Sequence, residues 1–169
     1  MNLPNKITLL RILFIPIFVF ILYLNIPYKD WIATGVFVLL ALTDSLDGYL
    51  ARKRNQITTF GKFIDPLADK LLVTAALVFL IGHGVEAWMA YVIIAREFLV
   101  MGVRIIAIQK NVVIKASSLG KLKTVSQVIA VIAAIMALPL NWWFMLIATL
   151  FTIISGLDYF LAAKKLLED

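Results

Sequence analysis

Six long apolar runs divide the chain, at roughly 7–24, 31–53, 62–82, 86–109, 119–138 and 142–164. Each approaches the ~20 residues a helix needs to cross the hydrocarbon core of a bilayer. Short polar breaks separate them: "NIPYKD", "KRNQITTFG", "GHGVE", "QKNVVIKASSLGK" and "LPLN". Such clusters of Gly, Pro, Asn, Ser and charge punctuate helices. The pattern predicts an all-α integral membrane protein of six transmembrane helices, forming one domain over 1–169. The first run follows Lys6 and resembles a signal peptide, but only "YLNIPYKDW" follows it. No small-residue cleavage site is there, so an uncleaved anchor is expected. Lone His83 falls in a Gly-flanked break and reads as a loop residue.

The apolar pattern fails in one stretch. "LTDSLDGYLARKRNQITTFGKFIDPLADK", residues 42–70, carries Asp44, Asp47, Asp65 and Asp69. A charge at the centre of a membrane helix costs ~2.5–3.5 kcal/mol on insertion scales. Helical spacing gathers these charges. Asp44, Asp47, Gly48, Ala51 and Arg52 fall at i, i+3, i+4, i+7 and i+8, and Gly61, Asp65 and Asp69 are four apart. Each set forms one stripe on its helix. A short turn between the helices lets the stripes face each other, and the small residues leave room for a ligand or close backbone approach. An all-oxygen donor set favours a hard divalent cation such as Mg²⁺ or Mn²⁺. Two ions would suit four carboxylates, and their usual work is phosphoryl transfer. The bland alternatives are an N-cap at Asp65 before Pro66 and a lysine pair for Asp44.

Composition and charge narrow the picture. The chain has 169 residues, 63% hydrophobic, where a soluble domain is usually about 45–50% apolar. Cysteine is absent, which excludes disulfides, thiolate metal sites and cysteine nucleophiles. The formal charge is +6, yet no basic stretch is interleaved with aromatics, so nucleic acid is not an expected partner. With six spans both termini share a side, and of the sixteen Lys and Arg residues only Lys29 falls opposite. That bias places the termini and the aspartates toward the cytoplasm. Trp31, Trp88, Trp142 and Trp143 would then lie at the outer helix ends, where tryptophan favours the interface.

The sequence Asp44-x-x-Asp47-Gly48-x-x-Ala51-Arg52, eight residues, then Gly61-x-x-x-Asp65-x-x-x-Asp69, resembles the signature of the CDP-alcohol phosphatidyltransferase family without departure. "NLPNKITLLRI", "GKFIDPLADKLLV", "AREFLVMGVR" and "LGKLKT" look like its bacterial phosphatidylglycerophosphate synthase branch. One departure is Met101, where the branch commonly has threonine. The resemblance implies six membrane helices, usually in a homodimer in the bacterial cell membrane, with a polar cavity open to the cytoplasm. It implies a reaction between CDP-diacylglycerol and sn-glycerol 3-phosphate that yields phosphatidylglycerophosphate and CMP.

By the same resemblance Asp44, Asp47, Asp65 and Asp69 are the metal ligands, and Asp69 is the general base. Gly48, Ala51, Arg52 and Gly61, with Asp47, form the CDP pocket, Arg52 reaching a phosphate. Asn5 and Thr8 precede the first helix and either cap it or touch the nucleotide. The acceptor's phosphate needs further cations. Arg96 and Arg104 within the fourth helix, with Lys121 and Lys123 opening the fifth, could clamp it. The alternative for these residues is an internal Glu97–Arg104 ion pair with snorkelling lysines. Two other functions remain open: a relative with another acceptor (inositol phosphate, serine or phosphatidylglycerol), or a divalent-cation transporter. The Gly-Ala-Arg spacing and one-sided placement favour a nucleotide pocket over a crossing path.

Overall fold

The structure, a computed structural model, describes the backbone of residues 3–53, 59–109 and 118–167. Within these helices the side chains of 3–5, 44–53, 59–63, 65, 66, 108, 109 and 165–167 lie outside the description. Among the described residues there are six helices: α1 (Leu3–Tyr23), α2 (Lys29–Lys53), α3 (Thr59–Phe79), α4 (Ala87–Gln109), α5 (Ser118–Ile135) and α6 (Asn141–Leu167). No strand occurs among the described residues. Among the described residues, three helices are long and apolar enough to span a membrane, over Lys6–Tyr23, Ser118–Ile135 and Asn141–Lys164.

Two starts differ from the sequence expectation. α1 begins at Leu3, so Asn5 and Thr8 lie inside it and do not cap it from outside. Pro4 is tolerated near the helix start, where its missing N–H would have no helical partner. α3 begins at Thr59, so Asp65 and Pro66 also lie within a helix and Asp65 is no N-cap.

The helices fall into two compact units, Met1–Phe79 and Leu80–Asp169. In the first, α1 packs on both α2 and α3. The buried positions Thr8, Arg11, Ile15 and Phe18 recur every three or four residues, one stripe of α1. Ala33, Phe37 and Leu40 form the answering stripe on α2, and Ala68, Leu72 and Ala76 that on α3. The alanines are closed completely, which lets the backbones approach. Phe18 meets Phe37 with ring centroids 5.7 Å apart, and Tyr23 meets Phe79 edge-on at 5.5 Å. Pro16, on the exposed side of α1, removes one intrahelical hydrogen bond without entering the core.

In the second unit, α4 and α5 each pack on α6. The turn before α4 closes through Gly82 N–H donating to the Val85 carbonyl at 3.0 Å. Gly84 takes φ +87°, and a Cβ there would lie 2.5 Å from the Asn141 side chain that opens α6, so only glycine fits. α5 ends as a Schellman motif, with Leu138 N–H donating to the Ala133 carbonyl at 2.9 Å. Ala137 occupies the left-handed position of that cap, φ 47°.

Candidate active site

The acidic group belongs to the first unit. α2 stays helical through Lys53 and α3 is helical from Thr59, so Asp44, Asp47, Gly48, Ala51 and Arg52 share one stripe, and Gly61, Asp65 and Asp69 another. Of this group the side chain of Asp69 is described; those of Asp44, Asp47, Gly48, Ala51, Arg52, Gly61 and Asp65, like that of Asn5, lie outside the description. The Asp69 carboxylate is 44% exposed, with the Lys70 ammonium 3.4 Å away. It is therefore partly exposed on a helical segment. Among the described residues no three acidic or histidine side chains gather into a metal site. The chemistry of the donor set still fits a hard divalent ion: carboxylates alone, with no cysteine in the chain and its one histidine in the second unit. Thr8 is fully buried inside the first unit, on the stripe of α1 that also holds Arg11.

The basic group belongs to the second unit and is described in detail. Glu97 on α4 and Lys123 on α5 form a buried ion pair, Nζ to Oε1 at 2.5 Å. No backbone contact joins α4 to α5 among the described residues, so the long lysine side chain bridges two helices that both lean on α6. Arg96 lies beside this pair. Its Nη1 is 3.4 Å from Glu97 Oε1, and its Nη2 donates to Ser155 Oγ on α6 at 2.8 Å. Its Nε is buried without a hydrogen-bond partner. Gly156 makes the berth, since a Cβ there would stand 3.1 Å from Arg96 Cγ. One turn along, Gln127 Nε2 donates to Thr152 Oγ1 at 2.9 Å, and Thr152 donates to the Ala148 carbonyl at 2.7 Å. Arg104 and Lys121 are exposed and without an ion-pair partner among the described residues.

The structure thus divides the four cations proposed for a phosphate. Arg96 and Lys123 come together around Glu97, whereas Arg104 and Lys121 stand open. Glu97 takes Lys123 and Arg96, not Arg104, because Arg104 is seven residues away, about 10 Å along the helix. Sequence reasoning missed Ser155 and Gly156. The signal was a small polar pair, "SG", inside the apolar run of α6.

The family pattern of the CDP-alcohol phosphatidyltransferases matches residues 1–154. A CDP-diacylglycerol–glycerol-3-phosphate 3-phosphatidyltransferase of Bacillus subtilis (strain 168) is 43% identical, over 94% of this chain and 93% of its own. The enzyme of the same name from Rickettsia bellii is 40% identical over 97% and 96%, and that from Escherichia coli K12 is 36% identical over 99% and 98%. With a family match that takes in all four aspartates and relatives aligned nearly end to end, the chain belongs to the CDP-alcohol phosphatidyltransferase family.

Proposed function

We propose that this protein transfers the phosphatidyl group of CDP-diacylglycerol to sn-glycerol 3-phosphate, giving phosphatidylglycerophosphate and CMP. The observation that carries the reading is the near full-length likeness, at 36–43% identity, to enzymes named for this reaction. The chain's own residues supply matching chemistry. Asp69 accepts the proton of the glycerol hydroxyl as that oxygen bonds to the lipid-side phosphorus. The bond from that phosphorus to the bridging oxygen breaks, and CMP leaves with the electron pair. Asp44, Asp47, Asp65 and Asp69 would hold Mg²⁺ or Mn²⁺, two ions by the number of carboxylates. Such ions neutralise the diphosphate and its developing charge. Asp47, Gly48, Ala51, Arg52 and Gly61, with Asn5 and Thr8, form the CDP pocket.

Arg96, Arg104, Lys121 and Lys123 bind the acceptor's phosphate in this reading. The buried, unpartnered Arg96 Nε supports the first of these, because an orphan guanidinium donor is satisfied by an anion's oxygen. Lys123 contributes its charge from within the Glu97 pair. The protein works as a homodimer of six-span subunits in the bacterial cell membrane, with its polar cavity and both termini on the cytoplasmic side. Fifteen of sixteen basic residues fall on that side of a six-span arrangement.

The reaction is tested by CMP release with a panel of acceptors: glycerol 3-phosphate, inositol phosphate, serine and phosphatidylglycerol. Release with glycerol 3-phosphate alone is expected, and preference for another acceptor would replace the reading. Metal dependence is tested by exhaustive chelation, which should abolish release until Mg²⁺ or Mn²⁺ is restored. Orientation is tested with Arg54→Cys, a single thiol in a cysteine-free chain. It should react only when an impermeant reagent reaches the inside of the cell.

A further inference from the structure

The first unit buries an arginine to which the reaction assigns no task. Arg11 is 1% exposed, and Thr8, one turn earlier on the same side of α1, is closed completely. A guanidinium that is always charged and wholly withdrawn from water demands negative charge close by.

Two ring contacts fix its depth. α1 and α2 run antiparallel from the short turn between them, and Phe18 meets Phe37. Seven residues back from Phe18 and seven forward from Phe37 bring Arg11 level with Asp44. α1 and α3 pack along each other with their C-terminal residues Tyr23 and Phe79 in contact. Twelve residues back from each bring Arg11 level with Leu67, between Asp65 and Asp69. A slip of one residue in either register shifts the level by about 1.5 Å, far less than the reach of an arginine side chain. The unit holds five carboxylates, Asp30, Asp44, Asp47, Asp65 and Asp69. Asp30 is at the far end of α2, about 21 Å from Asp44 along the axis, beside Lys29 at 3.7 Å. The other four cluster around the depth of Arg11.

We propose that Arg11 is a positioning residue for the acidic site. Its guanidinium pairs with the carboxylates of the α2 and α3 stripes, fixes their orientation and offsets their mutual repulsion while no divalent ion is bound. A bound ion takes over that compensation, so Arg11 matters most to the ion-free protein. This rests on the metal reading above.

The test is thermal unfolding of the purified full chain, in EDTA and in Mn²⁺, for the natural protein, Arg11→Met, Arg11→Lys, Asp44→Asn and the double variant Arg11→Met/Asp44→Asn. In EDTA, Arg11→Met should lower Tm by about 10 °C. Mn²⁺ should restore most of that loss, Arg11→Lys should stay close to the natural protein, and Asp44→Asn should relieve part of the Arg11→Met defect. An equal loss in EDTA and Mn²⁺ with no relief by Asp44→Asn would reduce Arg11 to packing and overturn the proposal. So would an unchanged Tm with a raised KM for CDP-diacylglycerol, which would move Arg11 to the nucleotide. If Arg11→Met does not fold alone, a folded double variant supports the pairing and an unfolded one overturns it. A natural protein whose Tm ignores Mn²⁺ would sink the metal reading separately, leaving the relief by Asp44→Asn to judge the pairing.

Discussion

In the second unit Glu97, Lys123, Arg96 and Ser155 close on one another among α4, α5 and α6, whereas in the first Asp69 stands 44% exposed at the end of a stripe of carboxylates. Net charge does not distinguish the two, since each unit holds eight Lys and Arg against five Asp and Glu. Placement does. The second unit compensates its buried charge internally, with one carboxylate set between two cations. The first carries four of its five carboxylates on two short helical stripes, which in the proposed reading await a divalent cation. Self-compensation makes a scaffold with a residual positive charge, suited to an anion. A gathered set of like charges makes a site that is incomplete without a ligand.

The largest effect should come from the acidic side. Asp69→Asn keeps size and hydrogen bonding but cannot take a proton. Turnover should fall about 10²–10⁴-fold while CDP-diacylglycerol binding is largely kept. Steady-state CMP release beside a binding assay with the nucleotide lipid checks both halves of that statement. Normal turnover would place the base elsewhere and remove the functional asymmetry between the units.

The basic side should respond in stability first. Glu97→Gln removes the carboxylate that faces buried Lys123 and half-buried Arg96, a loss on the order of 3–5 kcal/mol. Replacing the pair together, Glu97→Leu with Lys123→Met, should recover most of it, because apolar residues of similar volume need no compensation. Denaturation in mixed micelles measures both. If the double variant were as unstable as Glu97→Gln, the pair would be more than a self-balancing scaffold.

Next in size are the open cations. In the proposed reading Arg104→Ala and Lys121→Ala each remove one charged partner of the acceptor's phosphate, worth about 1.5–3 kcal/mol. KM for glycerol 3-phosphate should rise roughly ten- to a hundred-fold, with KM for CDP-diacylglycerol little changed. Some loss of kcat should accompany it, since the phosphate positions the attacking hydroxyl. A raised lipid KM with an unchanged acceptor KM would reassign these residues to the nucleotide lipid.

The same contrast governs what could be read from the chain. Helix number follows from apolar runs between polar breaks, and among the described residues each helix covers its expected run to within about four residues at either end. The acidic stripes were legible because they are local: three- and four-residue spacing within one helix fixes a shared face. The partners of Glu97 and Arg96 were not, because Lys123 is 26 residues from Glu97 and Ser155, which accepts from Arg96, lies on a third helix. Along one helix Arg104 looked the natural partner, and only packing decides otherwise. Thr8 and Arg11 show the same limit. A polar residue near a helix start reads as a cap or an anchor, while its burial depends on two neighbouring helices.

The smallest expected effect tests whether the second unit can be stabilised without touching the chemistry. Ala137 holds a left-handed backbone, φ 47°, at the cap that ends α5. For an L-residue with a Cβ that conformation costs roughly 1–2 kcal/mol. Glycine removes the cost but loses more chain entropy on folding, which returns about 0.4–1 kcal/mol. Ala137 is exposed, so its methyl group gives up little packing. Ala137→Gly should therefore stabilise the protein by about 0.5–1 kcal/mol, read as a rise in Tm. Both KM values and kcat should stay as they are, because the cap lies at the opposite end of α5 from Lys121 and Lys123. A change in acceptor KM would mean that the packing of α5 on α6 reaches the basic group, and the division between scaffold and site would have to be redrawn inside the second unit.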